Sequence, residues 1–247
     1  MIPLIKIQNL SVGYDRVPVI ENATLDICEQ DFLGVIGPNG GGKTTLLKAI
    51  LGLIKPMGGT ISFRDDVDGR QKPIGYLPQV KHIDQKFPIT VFDVVQSGSI
   101  MEGSSKSKRA IKERAEHLLN EMGIFDIKNK AIGELSGGQM QRTFLCRALL
   151  SNPRILILDE PDTFVDNRFE GELYEWLRVL NEEIAIILVS HDVGTISSYV
   201  KTIACVNKNV HYHASNKITQ EQLNAYNCPI QIISHGEIPH TVLKHHL

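Results

Sequence analysis

The chain has 247 residues, 42% of them hydrophobic and 22% charged, near globular averages and far from the signatures of disordered, collagen-like or coiled-coil chains. A formal net charge of −2 supplies no basic field of the kind that draws proteins onto nucleic acid or anionic lipid, so no nucleic-acid partner is expected. The longest apolar run, Ile184 to Val189, is far below the roughly 20 residues of a membrane-spanning helix, and Met1 to Lys6 lacks the basic start and sustained apolar core of a secretory signal. Cys28, Cys146, Cys205 and Cys228 are widely spread with no C-x-x-C pair and read as reduced thiols of a cytoplasmic protein.

Along the chain, Ile5, Ile7, Leu10 and Val12, then Val19-Ile20 and Ala23 to Ile27, are short β-type stretches divided by Gly13, Asp15, Pro18 and Asn22, predicting a small antiparallel region. Phe32 to Ile36 predicts a buried strand that runs into Gly37, with a helix over 44–53 stopped by Pro56-Met57-Gly58-Gly59. Between about residues 80 and 145 the pattern becomes helical. Over 106–122, Ile111, Ala115, Leu118, Leu119 and Met122 share one helical face. Ser136 with Gln139 three residues on makes a capping box for a helix to about Leu150. Ile155 to Leu158 and Ile184 to Val189 suit central parallel strands, with a helix over 170–180 between them. These βαβ units predict an α/β protein with a mostly parallel sheet flanked by helices.

Gly37-Pro38-Asn39-Gly40-Gly41-Gly42-Lys43-Thr44 fits G-x-x-x-x-G-K-[ST] between the predicted strand and helix. Glycines let successive backbone N–H groups turn toward a phosphate, and the helix offers its positive N-terminus. Lys43 can reach the β and γ oxygens, and Thr44 offers a hydroxyl to Mg²⁺. Asp159 and Glu160 close the strand at Ile155, at the carboxyl end where open α/β sheets bind ligands. Asp159 suits Mg²⁺ and Glu160 suits a base for the attacking water, although a strand also ends in acidic residues merely for solvation.

Leu135-Ser136-Gly137-Gly138-Gln139, followed by Met140-Gln141-Arg142, resembles the signature motif of ABC ATPases, and the other family elements occur in order. Tyr14 matches the aromatic residue that stacks on adenine, Gln79 in Tyr76-Leu77-Pro78-Gln79 matches the Q-loop, and His191 in Val189-Ser190-His191-Asp192 matches the switch histidine. The resemblance covers essentially the whole chain. It implies a P-loop NTPase core built from residues 1–79 and 146–226, including the N-terminal antiparallel β subdomain. It also implies a helical subdomain at 80–145 and a tail at 227–247. By the same resemblance, ATP is bound by Tyr14, Gly37, Pro38, Asn39, Gly40, Gly41, Gly42, Lys43, Thr44 and Thr45. Ser136, Gly137, Gly138 and Gln139 of a second copy complete the site, so a homodimer encloses two nucleotides. Mg²⁺ falls to Thr44, Gln79 and Asp159; Glu160 polarises water, His191 contacts the γ-phosphate, and Gln79 links the site to the helical subdomain. The D-loop departs from the common Glu-Pro-Thr-Ser-Ala-Leu-Asp: here it reads Glu160-Pro161-Asp162-Thr163-Phe164-Val165-Asp166, keeping Asp166.

The segments from Asn227 to Lys244 and from Val193 to Tyr199 look similar to the zinc and manganese branch of ABC importers. That implies integral membrane permease subunits, an extracytoplasmic substrate-binding protein, and a place on the inner face of the membrane through the permease. A soluble ABC ATPase of iron–sulfur cluster assembly is the alternative. Six of the nine histidines lie from His211 onward. His211, His213, Cys228, His235 and His240 could form a regulatory metal site, or be ordinary solvated and core histidines, since no ligand spacing among them is tight.

Overall fold

The computed structural model describes residues 2–64, 74–79, 87–99, 107–161, 167–191, 193–216, 230–234 and 239–243. The chain divides into two compact units, Met1–Asp68 with Leu180–Leu247, and Gly69–Val179. The architecture is α/β, with parallel strands, flanking helices, an N-terminal antiparallel sheet and a helical segment, as the sequence predicts.

In the first unit β1 (Ile5–Tyr14) lies between β2 (Val17–Ile27) and β4 (Gly58–Phe63), antiparallel to both. The two stretches expected within β2 run as one strand, because Asn22 absorbs the break at φ 51°, a conformation that Asn tolerates better than most residues. Beside this sheet, β3 (Phe32–Ile36) pairs in parallel with β7 (Ala185–Val189) and with β8 (Thr202–Asn207), and β9 (Asn209–His213) closes the edge antiparallel to β8. All five residues of β3 and of β7 are buried, which accounts for their unbroken apolar runs. Helix α1 (Lys43–Ile50) stops earlier than the predicted Leu53. Gly52 takes φ 72°, and the N–H groups of Gly52 and Leu53 donate back to the carbonyls of Ala49 and Lys48, a glycine-terminated cap that ends the helix. A short helix, Val193–Ser197, packs on β3 and on one strand of the antiparallel pair Ile230–Ser234 and Pro239–Leu243.

In the second unit β5 (Ile74–Leu77) and β6 (Ile155–Asp159) are parallel, with helices α2 (Val91–Gln96), α3 (Lys108–Glu121) and α4 (Gly137–Leu149). Helix α5 (Asn167–Leu180) follows β6. Strand β5 lies so close to α4 that a Cβ on Gly75 would sit 2.4 Å from the Ala148 carbonyl oxygen. The predicted apolar face of α3 is borne out: Ala115, Leu118, Leu119 and Met122 are buried, while Ile111 at its start is half-buried.

Helices α3 and α4 cap one another. Arg114 of α3 donates from Nε to the Leu150 carbonyl (3.0 Å) and from Nη2 to the Leu149 carbonyl (3.2 Å) and Asn152 Oδ1 (3.1 Å), covering the last turn of α4. Arg142 of α4 donates from Nη1 to the Met122 carbonyl (2.9 Å), at the end of α3. Each cation donates to carbonyls in the last turn of a helix, where intrahelical donors run out, and each lies at the negative pole of the other helix. Arg114→Ala is therefore expected to lower the unfolding free energy by about 2 kcal/mol, with Arg114→Lys recovering less than half, because one ammonium cannot span three acceptors. Urea unfolding of the three proteins measures this; equal stability would show that the cap contributes nothing.

Candidate functional site

The glycine loop starts where β3 ends. Gly37 takes φ 152°, and a Cβ there would lie 2.0 Å from the carbonyl oxygen of Val206 on the neighbouring β8. Gly42 forms the N-cap of α1 in the left-handed region (φ 108°), with Ile20 of β2 only 2.9 Å from where a Cβ would be. The loop is thus wedged between two strands, and these two positions exclude any side chain. Gly40 faces open space and Asn39 is exposed, leaving the outer rim accessible.

Lys43 is 5% exposed, and its Nζ curls back to donate to the carbonyls of Gly37 (2.9 Å) and Pro38 (3.1 Å). That holds the ammonium over the loop. No acidic residue occupies the first turn of α1 and no side chain caps it, so its N-terminal N–H groups and macrodipole are available to an anion. Thr44 in that turn is exposed, and Thr45 is buried. Tyr14 closes β1 at the hairpin and is exposed, one hairpin away from the Ile20 that packs on Gly42.

Strand register brings His191 to the same end. Val35 pairs with Val189, and the Ser190 N–H donates to the Val35 carbonyl at 3.3 Å. Gly37 and His191 each lie two residues beyond that pair, and His191 is exposed.

The second unit repeats this arrangement. Leu77 of β5 pairs with Leu158 of β6, and two residues beyond each strand position Gln79 Nε2 donates to Glu160 Oε2. Glu160 adopts φ 51° directly after the strand, a left-handed conformation for a residue with a long side chain. Such conformations cluster where a side chain must be aimed. Asp159, at the end of β6, is 3% exposed. Beside it Tyr76 is pushed up to about 12, first by burial and then by the Asp159 charge, so the phenol stays neutral next to the carboxylate. The sequence shows Tyr76 only as a member of the Gln79 motif, with no role of its own; the electrostatic influence of Asp159 on it becomes visible once β5 is paired with β6.

Ser136 is the N-cap of α4: the Gln139 N–H donates to its Oγ at 3.3 Å, and the Ser136 N–H donates to Gln139 Oε1 at 3.1 Å. The predicted capping box is present. Ser136 and Gly137 are exposed and the first turn is free of acidic residues, a second helix tip suited to an anion. Asp166, with Asp162 and Phe164 of the D-loop, lies outside the described residues.

His211 and His213 lie on one face of β9, opposite Cys205 and Ile203 of β8. Burial, and then the neighbouring His211, holds His213 below the usual imidazole range. Cys228 and His235 lie outside the described residues, and His240 falls on the second strand of the C-terminal pair. Among the described residues no group of three or more His, Cys, Asp or Glu side chains is arranged to hold a metal. Nor is any described helix long and apolar enough to cross a membrane.

The chain as a whole is similar to known proteins. A family model described as ABC transporter matches residues 20–163. The zinc uptake system ATP-binding protein ZurA of Listeria monocytogenes is 38% identical over 220 residues, covering 86% of this chain and 86% of that protein. The high-affinity zinc uptake system ATP-binding protein ZnuC of Bacillus subtilis is 35% identical over 207 residues, covering 81% and 89%. Among solved structures, a chain of an ABC transporter in an inward-facing conformation superposes with a TM-score of 0.82 at 25% identity, covering 99% of this chain and 98% of that one. A dimeric ATP-binding cassette in a post-hydrolysis state with ADP and phosphate superposes at 0.73 with 25% identity, covering 87% and 100%. A family model that matches residues 20–163, with relatives 35% and 38% identical that are covered over most of their length, establishes that the chain belongs to the ABC transporter family, as an ATP-binding subunit.

Proposed function

We propose that this protein is the ATP-hydrolysing subunit of an ABC importer for a divalent metal ion, Zn²⁺ or Mn²⁺, and that it works as a homodimer beneath two permease subunits fed by an extracytoplasmic binding protein. The observation that carries the hydrolytic reading is Glu160, fixed at the carboxyl end of β6 and held by Gln79. The zinc uptake relatives favour metal import over iron–sulfur cluster assembly.

In this reading Tyr14 stacks on adenine, and Gly37 to Thr45 hold the phosphates through loop N–H groups, the α1 N-terminus and the Lys43 ammonium. A buried carboxylate beside a neutral phenol, an exposed threonine hydroxyl and a glutamine carbonyl are hard oxygen donors of the kind Mg²⁺ takes, so Asp159, Thr44 and Gln79 fit that ion. When bound, Mg²⁺ neutralises charge on the phosphate oxygens. Glu160 accepts a proton from the attacking water, and Gln79 keeps its carboxylate aimed. His191 reads the γ-phosphate from the end of β7. Ser136 and Gly138, at the tip of α4, close over the nucleotide of the partner protomer, and Asp166 joins the two sites. Residues 80–145 act as the helical subdomain that receives the permease, residues 1–79 and 146–226 as the nucleotide-binding core, and residues 227–247 as a tail.

Glu160→Gln is expected to keep ATP binding, lose about 10²- to 10⁴-fold in turnover, and accumulate an ATP-bound dimer in size-exclusion chromatography. Turnover at the wild-type rate would show that another group is the base. Gly37→Ala is expected to abolish nucleotide binding measured by fluorescent-ATP titration, because the methyl group collides with the Val206 carbonyl. Undiminished affinity would mean that the loop does not hold phosphate. Proteoliposomes containing the subunit with its permease and binding protein are expected to take up radioactive Zn²⁺ or Mn²⁺ only when ATP is present, whereas ATP turnover without uptake of either ion would remove the metal-import reading.

A further inference from the structure

Lys208 lies at the bend between β8 and β9, where Asn207 pairs with Asn209. Its side chain is exposed, but both of its backbone groups are engaged by other segments of the first unit. The N–H donates to the carbonyl of Gly41 in the glycine loop at 3.2 Å, and the carbonyl accepts from the Glu21 N–H of β2 at 2.8 Å. Lys208 makes both bonds at φ 58°, a left-handed conformation that is strained for a residue with a Cβ and easy for glycine. Such positions persist where the surrounding structure holds them.

The Gly41–Gly42 peptide is trans, so its carbonyl and its N–H point in opposite directions. With the Gly41 carbonyl drawn to the bend at Lys208, the Gly42 N–H faces the other way. Gly42 is the N-cap of α1, and this N–H joins those of the first helical turn in facing an anion at the helix N-terminus. A peptide with glycine on both sides can flip with little steric resistance, and a flip would turn a carbonyl toward the phosphate in place of a donor. The neighbouring segments limit that freedom. A Cβ on Gly41 would lie 2.8 Å from the Val206 carbonyl oxygen of β8, and Ile20, beside the Glu21 that binds the Lys208 carbonyl, packs on Gly42.

We propose that Lys208 is a positioning residue for nucleotide binding: its backbone N–H holds the Gly41 carbonyl away from the phosphates and so keeps the Gly42 N–H aimed at them. This rests on the reading of the glycine loop as the phosphate site for ATP. Only the main chain of Lys208 takes part, and its ammonium has no role. The bond from Glu21 to the Lys208 carbonyl fixes the bend to β2, so that the loop peptide is held from two sides.

The test uses full-length Lys208→Pro, which lacks the N–H and cannot adopt a positive φ, beside Lys208→Gly, which keeps the donor, takes φ 58° without strain and lacks the ammonium. Lys208→Pro is expected to raise KM for ATP and Kd for ADP about tenfold, the effect of one lost hydrogen bond to a charged group, with kcat at saturating ATP within about threefold of wild type. Lys208→Gly is expected to restore the wild-type KM. A partly unfolded protein would show the reverse pattern, a lowered kcat at unchanged KM. If Lys208→Pro fails to fold, hydrogen exchange on the wild-type protein takes its place: saturating ADP is expected to slow exchange of the Lys208 amide about tenfold or more, because nucleotide selects the loop in which that bond is closed. Unchanged KM in Lys208→Pro, a loss of affinity in Lys208→Gly equal to that of the proline variant, or a Lys208 amide whose exchange ignores nucleotide would overturn the proposal. Wild-type protein that binds neither ATP nor ADP would instead remove the reading of the loop on which it rests.

Discussion

Parallel strand register places Gly37, Gln79, Glu160 and His191. Leu77 opposite Leu158 puts Gln79 against Glu160; Val35 opposite Val189 puts Gly37 and His191 at matching heights; and Ile36 opposite Cys205 sets the Val206 carbonyl against the glycine loop. In a parallel pair both chains leave at the same end, so the residues following each strand converge there without any long-range folding of loops. A one-residue slip would turn each strand's side chains to the opposite face and separate Gln79 from Glu160.

Two helix tips complete the electrostatic layout. Both α1 and α4 begin without an acidic residue in the first turn and with small residues at the cap, so their N–H groups remain suited to an anion. They reach that state by different routes. The start of α1 depends on glycine and on Lys43 folded back over its own loop, whereas α4 closes its first turn with the Ser136–Gln139 capping box. The second arrangement uses its side chains on its own helix and leaves the backbone tip exposed, in keeping with its proposed contact with a partner protomer's nucleotide.

Much of this was legible before any coordinates. The glycine loop could be placed because a short run suited to a buried strand precedes it and helical spacing follows it, and α3 and α4 declared themselves through one apolar stripe and one capping box. What stayed hidden depends on contacts between distant segments. Strands β4 and β8 were not foreseen: β4 is glycine-rich and partly exposed, and it is a strand only because Ile61 finds Ile7 more than fifty residues earlier. Tyr76 beside Asp159, and the exchange of caps by Arg114 and Arg142, follow from pairing and helix packing that no local spacing encodes. The left-handed turn at Glu160 is likewise invisible in a sequence in which glutamate would ordinarily continue a strand or start a helix.

The most direct measurement is a crystal structure of the Glu160→Gln protein with Mg-ATP. The account predicts a symmetric dimer with each nucleotide between the Gly37 to Thr45 loop of one protomer and Ser136 of the other, and with Gln79 beside residue 160 at the γ-phosphate. A nucleotide bound by one protomer alone, with Ser136 turned to solvent and Gln79 remote from the phosphates, would contradict it.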